Sequence, residues 1–148
     1  MINNLYEKIG GNIFRALPDK WEKAWLDVCI YVPDVSLSLF GAYQRNSEIF
    51  YFDIDEIDGV EIFSDTDEAF YNLHNLMVRQ CGKSWNKCRF ELTSDGNFEI
   101  FYKYDEDFAY LNNLVDKLEC FPSSEEILAI QTWEGLPDGV ARSWKTPK

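Results

Sequence analysis

Residues 87–103 leave the chain little choice of local structure. Cys88, Phe90 and Leu92 alternate with Lys87, Arg89 and Glu91, and Phe98, Ile100 and Tyr102 alternate with Asn97, Glu99, Phe101 and Lys103. A period of two places each apolar set on one face of a strand. Asp95-Gly96 on its own reads as a two-residue hairpin loop, but that loop sets inward Leu92 opposite outward Glu99. The three-residue loop Ser94-Asp95-Gly96 instead pairs Leu92 with Phe98 and Phe90 with Ile100. A slip of one residue turns every side chain over, so the core face selects the second register. It predicts a type I turn with Gly96 in the left-handed conformation. Glu91 then faces Glu99, a mildly unfavourable pair, with Arg89 placed diagonally to relieve it.

The same test organises the rest of the chain. Leu5, Tyr6, Ile9, Ile13, Phe14 and Leu17 recur at helical spacing over residues 3–17. Gly10-Gly11 weakens this helix by roughly 1 kcal/mol per glycine, and Pro18 should end it. Trp25–Val32 reads as a strand with Leu26, Val28, Ile30 and Val32 on one face. Val35–Tyr43 follows, with Val35, Leu37 and Leu39 inward, and then the almost wholly apolar Ile49–Ile54. Pro33-Asp34 and Arg45-Asn46-Ser47 mark the turns, and connections this short predict antiparallel pairing.

Asp65–Cys81 is a predicted helix. Asp65 and Glu68 form a capping box ahead of a stripe of Ala69, Phe70, Leu73, Leu76, Met77 and Cys81. After the hairpin come two helices. One carries Phe108, Leu111, Leu114, Val115 and Leu118, and the other starts at a Ser123/Glu126 capping box before Ile127, Leu128 and Ile130. Residues 137–148 read as a loose tail. The expected order is α-β-β-β-α-β-β-α-α: one α+β domain over residues 1–148, with an antiparallel sheet of about five strands and helices packed on one face.

Composition narrows the function. Aromatic residues are 16% of the chain, enough for a substantial core. Acids outnumber bases 26 to 14, for a formal charge of −12. Such a surface repels phosphate, which argues against nucleic-acid binding, and attracts a basic partner. No apolar stretch is long enough to span a membrane, and no basic segment followed by an apolar run opens the chain. Cys29, Cys81, Cys88 and Cys120 form no C-x-x-C pair. They read as small buried hydrophobes in a reducing, cytoplasmic setting.

Catalytic constellations are not evident. The single histidine, His74, borders a helical stripe without a partner in the sequence and reads as structural. One histidine and scattered cysteines do not make a zinc pattern. Asp53–Gly59 approaches a calcium loop, but Ile57 falls on a ligand position and the glycine comes one place late. Gly10-Gly11 lacks the spacing of a phosphate loop, and no G-x-S-x-G elbow exists. The chain is expected to be no enzyme and to need no cofactor or metal.

The charge is unevenly spread. Between Arg45 and Arg79 there is no Lys or Arg, and nine acids lie there: Glu48, Asp53, Asp55, Glu56, Asp58, Glu61, Asp65, Asp67 and Glu68. The last three favour a helix start. The helix dipole does not account for Asp53 to Glu61. A solvated loop is one reading. The other is an interface for Arg and Lys, with Phe50, Tyr51, Phe52 and Phe63 interleaved to exclude water. The second makes Asp53, Asp55, Glu56, Asp58, Glu61, Asp65, Asp67 and Glu68 the candidate partner-binding residues.

Further motifs stand out: Leu17-Pro18-Asp19-Lys20-Trp21-Glu22-Lys23 after the first helix, Trp85, Phe90-Glu91-Leu92, Ser94-Asp95-Gly96-Asn97-Phe98 and Tyr102-Lys103-Tyr104-Asp105. Over roughly residues 3–107 the chain resembles the YezG-like family of bacterial immunity proteins, the antitoxins of secreted polymorphic toxins. After Asp105 it departs from that family, which typically continues with an acidic linker and a Trp-containing segment. Here two amphipathic helices follow, with Trp133 in the equivalent role. The resemblance implies cytoplasmic neutralisation of a cognate toxin domain, often a nuclease. Its motif residues look structural, so it supplies no binding residue. Three alternatives follow from the same residues: an immunity protein that binds through its C-terminal helices, an enzyme or small-ligand-binding module with a site of aromatics and carboxylates, and a non-enzymatic adaptor.

Overall fold

A three-stranded antiparallel meander and a separate hairpin join into one sheet along a central strand. That strand is β1 (Lys23–Val32), and it pairs on one side with β2 (Ser36–Arg45), which pairs in turn with β3 (Glu48–Phe52). On its other side it pairs with β6 (Lys87–Thr93), followed by β7 (Phe98–Lys103), giving a five-stranded sheet in the order β3-β2-β1-β6-β7. The structure, a computed structural model, describes residues 2–54, 56–57, 60–61, 63–112 and 122–142. A two-residue pairing of β4 (Glu56–Ile57) with β5 (Val60–Glu61) is an addition to the predicted order.

The hairpin register follows the core face, as expected. Leu92 pairs with Phe98 and Phe90 with Ile100. The Gly96 N–H donates to the Thr93 carbonyl at 3.0 Å, and Gly96 takes a φ of +94°. Glu91 does face Glu99, but the relief comes from Lys23, whose ammonium lies 3.2 Å from Glu91. Arg89 is committed elsewhere. Between β2 and β3, Asn46 and Ser47 form the two-residue loop that joins paired Arg45 and Glu48, with φ of 52° and 66°. Positive φ at both positions gives the loop the twist of its strands.

One face of the sheet is covered by α1 (Ile2–Ala16) and α2 (Phe63–Cys81). Ile9 and Ile13 of α1 and Ala69, Phe70 and Leu73 of α2 close on Leu26, Val28, Ile30, Cys88, Phe90 and Leu92. The Asn12 amide donates to the Thr66 hydroxyl at 3.0 Å, tying the two helices together inside the core. Gly10 lies over the Phe90 ring, whereas a Cβ at Gly11 would meet nothing within 4 Å. Gly11→Ala should therefore recover about 1 kcal/mol of helix propensity. Thermal unfolding should show this as a rise in Tm of roughly 2–4 °C. An unchanged or lower Tm would mean that the glycine has another role.

Several local expectations need correcting. α2 begins at Phe63, so Asp65 lies inside its first turn rather than at the cap. A register shift between Ile30 and Val32 rotates Val32 into solvent, and Val35 sits exposed in the turn before β2. Cys81 is exposed rather than buried, because the last turn of α2 runs past the core.

The larger correction concerns the other face. α3 (Glu106–Asn112) and α4 (Ser124–Ile130) do not join α1 and α2. They gather on the opposite side of the sheet, where Phe108 and Ile130 bury Cys29. The Ser123/Glu126 capping box starts α4 as expected. Leu114, Val115, Leu118 and Cys120 lie outside the described residues. Of the tail expected over 137–148, the described part is held by Arg142, which reaches the Asp107 carboxylate at 2.8 Å and the Pro137 carbonyl at 2.7 Å.

Candidate functional site

Alternation along β1 and β6 sends Trp25, Asp27 and Cys29 to the second face, opposite Glu91, Arg89 and Lys87. Polar residues in a strand are normally read as solvent-facing, yet Lys87 is completely buried. Its ammonium donates to Asp105 Oδ2, the Ile130 carbonyl and the Thr132 carbonyl, each at 2.6 Å. All three donors of the group are used, which is the condition for burying a charge. Asp105 also accepts from the Phe108 N–H at 3.1 Å and so caps α3. The Asn86 amide brackets the Asp105 backbone, with contacts of 2.9 and 2.7 Å. Gly135 closes over this cluster with a φ of +67°, and a Cβ there would fall 2.5 Å from Asp105 Oδ2.

Beside this clamp, Arg89 grips Asp27 with two hydrogen bonds of 2.6 and 2.8 Å and reaches Glu134 at 3.4 Å. Burial pushes the Asp27 carboxyl up, and Arg89 pulls it partly back. The guanidinium sits 5.6 Å from the centroids of both the Trp25 and Trp133 rings, and the Lys103 ammonium lies 4.3 Å from that of Trp133. Cation–π stacking of this kind fixes Trp133 and the segment after α4 on the sheet.

The clamped segment does not cover the whole second face. A groove of about 490 Å³ remains between it and the outer strands. Trp25, Phe40, Ile49, Tyr51, Leu128 and Trp133 are among its apolar lining, and the Asp27–Arg89 pair lines it too. Tyr51 and Leu128 are 68% and 67% exposed, and Phe40 packs on Tyr51 at 5.2 Å. Large apolar side chains left open side by side are characteristic of interaction surfaces. The groove could have been anticipated only by knowing that α4 would cross this face; Tyr51 and Trp133 were the residues there that the sequence had singled out.

The predicted acidic residues occupy one continuous stretch of chain. Asp53 is exposed directly after β3, Glu56 and Glu61 lie in β4 and β5, and Asp65, Asp67 and Glu68 lie in α2. Glu68 is exposed, while Asp67 is partly buried and its carboxyl is raised by that burial. Asp55 and Asp58 lie outside the described residues.

Catalytic chemistry finds little support in this geometry. His74 is buried against Trp85, with ring centroids 5.2 Å apart, and its Nδ1 contacts no donor or acceptor. Burial pushes the Cys29 thiol up to about 11 and Cys88 well above its usual range, so neither is a ready thiolate. Among the described residues, no three His, Cys, Asp or Glu side chains gather into a metal site, and no helix is long and apolar enough to cross a membrane.

A family model described as Immunity protein YezG-like matches residues 2–122, which takes in the sheet, α1, α2 and α3 and stops just before α4. No curated protein matches the chain.

Proposed function

Because the chain belongs to the YezG-like family of immunity proteins, we propose that it is a cytoplasmic antitoxin that neutralises a cognate toxin domain, a basic nuclease, through its acidic surface. Membership of the family implies a toxin partner. The observation that carries the rest is the interval 46–78, which has nine acids and no Lys or Arg. A nuclease must present cations to phosphate, and carboxylates placed on those cations form strong charge-assisted hydrogen bonds. Asp53, Asp55, Glu56, Asp58, Glu61, Asp65, Asp67 and Glu68 are the residues assigned to this contact. Complementary charge of this size would also speed the encounter, a protective feature in a protein that must reach its toxin first.

The test is co-purification with a candidate toxin domain from a neighbouring gene, followed by titration. Replacing Asp53, Asp55 and Asp58 by Asn and Glu56 by Gln should weaken binding about tenfold or more at low salt, or at least 1.4 kcal/mol. Screening should shrink that difference as ionic strength rises. Unchanged affinity at low salt would remove the acidic surface from the contact and leave the family assignment intact.

A further inference from the structure

β3 is the outermost strand on its side of the sheet, and among the described residues nothing pairs with its free edge. Such an edge presents a row of unused N–H and C=O groups. Natural proteins usually blunt an edge like this with lysine, proline or a bulge. β3 reads Glu48-Ile49-Phe50-Tyr51-Phe52, has none of these devices, and leaves four of its five residues exposed. Its pairing with β2 runs without interruption from Arg45↔Glu48 to Gly41↔Phe52.

The edge is continuous with the groove on the second face. Ile49 and Tyr51 line the groove together with Trp25, Phe40 and Leu128. A strand added to β3 would therefore gain backbone pairing along its length and apolar contacts on that face. Such addition takes its affinity from main-chain hydrogen bonds and its specificity from alternate side chains.

Charge selects the occupant. Glu48 and Asp53 bracket the edge, Glu134 borders the groove with its side chain 69% exposed, and the one cation in the groove wall among the described residues, Arg89, is spent on Asp27. A second copy of this chain would bring its own Glu48 and Asp53 to the same place, with a net charge of −12 on each copy. Like charges facing across paired strands are unfavourable. We infer that the β3 edge and the adjoining groove receive an extended segment of the partner toxin, with alternating basic and apolar residues, as a sixth strand. The inference rests on the immunity reading and gives it a second contact surface, which adjoins the acidic residues after β3 at Asp53.

The probe is a capped ten-residue peptide of alternating Arg and Val, titrated into the full-length protein. The expected result is saturable binding that quenches tryptophan fluorescence and slows amide exchange of residues 48–52. The same peptide N-methylated at alternate amides, and a Glu-for-Arg version, should each bind at least tenfold more weakly. Tyr51→Lys, an exposed change checked for folding by circular dichroism, should lower affinity by a similar factor. Equal binding of the methylated peptide would overturn strand addition, as would protection that appears over residues 56–68 instead of β3. Concentration-dependent dimerisation that blocks the peptide would assign the edge to a second copy and also overturn it. The two readings separate with the toxin domain. If the toxin binds unchanged when Ile49→Lys and Tyr51→Lys are combined, this inference fails and the immunity assignment stands. If the peptide binds β3 but the toxin domain does not, the immunity assignment fails instead.

Discussion

Lys87→Met should destabilise the protein by about 3–5 kcal/mol, the usual range when one partner of a buried ion pair is removed. Methionine fills the space but donates nothing. Asp105 Oδ2 and the Ile130 and Thr132 carbonyls would lose their shared donor, and burial would leave them without water in its place. A domain of this kind is commonly stable by only about 5–15 kcal/mol, so the loss should be obvious in urea. Chemical denaturation should show a lower midpoint, and amide exchange should rise first in α3 and α4. Lys23→Met is the control: it breaks an ion pair whose lysine side chain is 45% exposed, and should change stability by no more than about 1 kcal/mol. If both variants behave alike, the clamp does not hold the second face.

Phe90→Ala should have an effect of the same size, about 3–5 kcal/mol, on the other side of the sheet. The ring is fully buried, stacks on Phe98 at 5.4 Å and lies under Gly10 of α1. Gly10 offers no side chain that could swing into the void, so the cavity would stay largely open. Exchange should accelerate in α1 before it does in α3. The two variants together therefore test whether the faces of the sheet unfold as separate units or as one. A loss at Phe90 below about 1 kcal/mol would mean that α1 collapses onto the sheet more freely than the packing suggests.

These two residues also mark how far the sequence was legible. Phe90 was readable because alternation and the Ser94-Asp95-Gly96 loop are local, and only one register satisfies both. α1 was readable because its stripe ends at a proline. Lys87 was not, because a lysine in an alternating strand belongs on the wet face unless something distant covers it. Here that cover comes from Asp105, Ile130, Thr132 and Gly135, and no local pattern reports it. The same blindness placed α3 and α4 on the wrong side. Cys81 failed for the opposite reason: the helical stripe was real, but it outlasted the core. The acidic interval was visible as composition. Whether its members share one surface depends on chain geometry that composition does not carry. The groove needed both the strand order and the path of the chain after Ile130.

The position of β1 in the sheet has a meaning in time. It is the first strand to be synthesised and the central one in the sheet, with β2 arriving after one short turn but β6 beginning only at Lys87. At translation speeds of about 5–20 residues per second, one side of β1 waits roughly 3–12 seconds for its neighbour. Throughout that interval the nascent chain carries a half-built sheet with Leu26, Val28 and Ile30 in place and no Phe90 or Leu92 to cover them. Strand order alone thus leaves one edge of β1 open while residues 33–86 are made, and an open edge of this kind is where chains can pair prematurely.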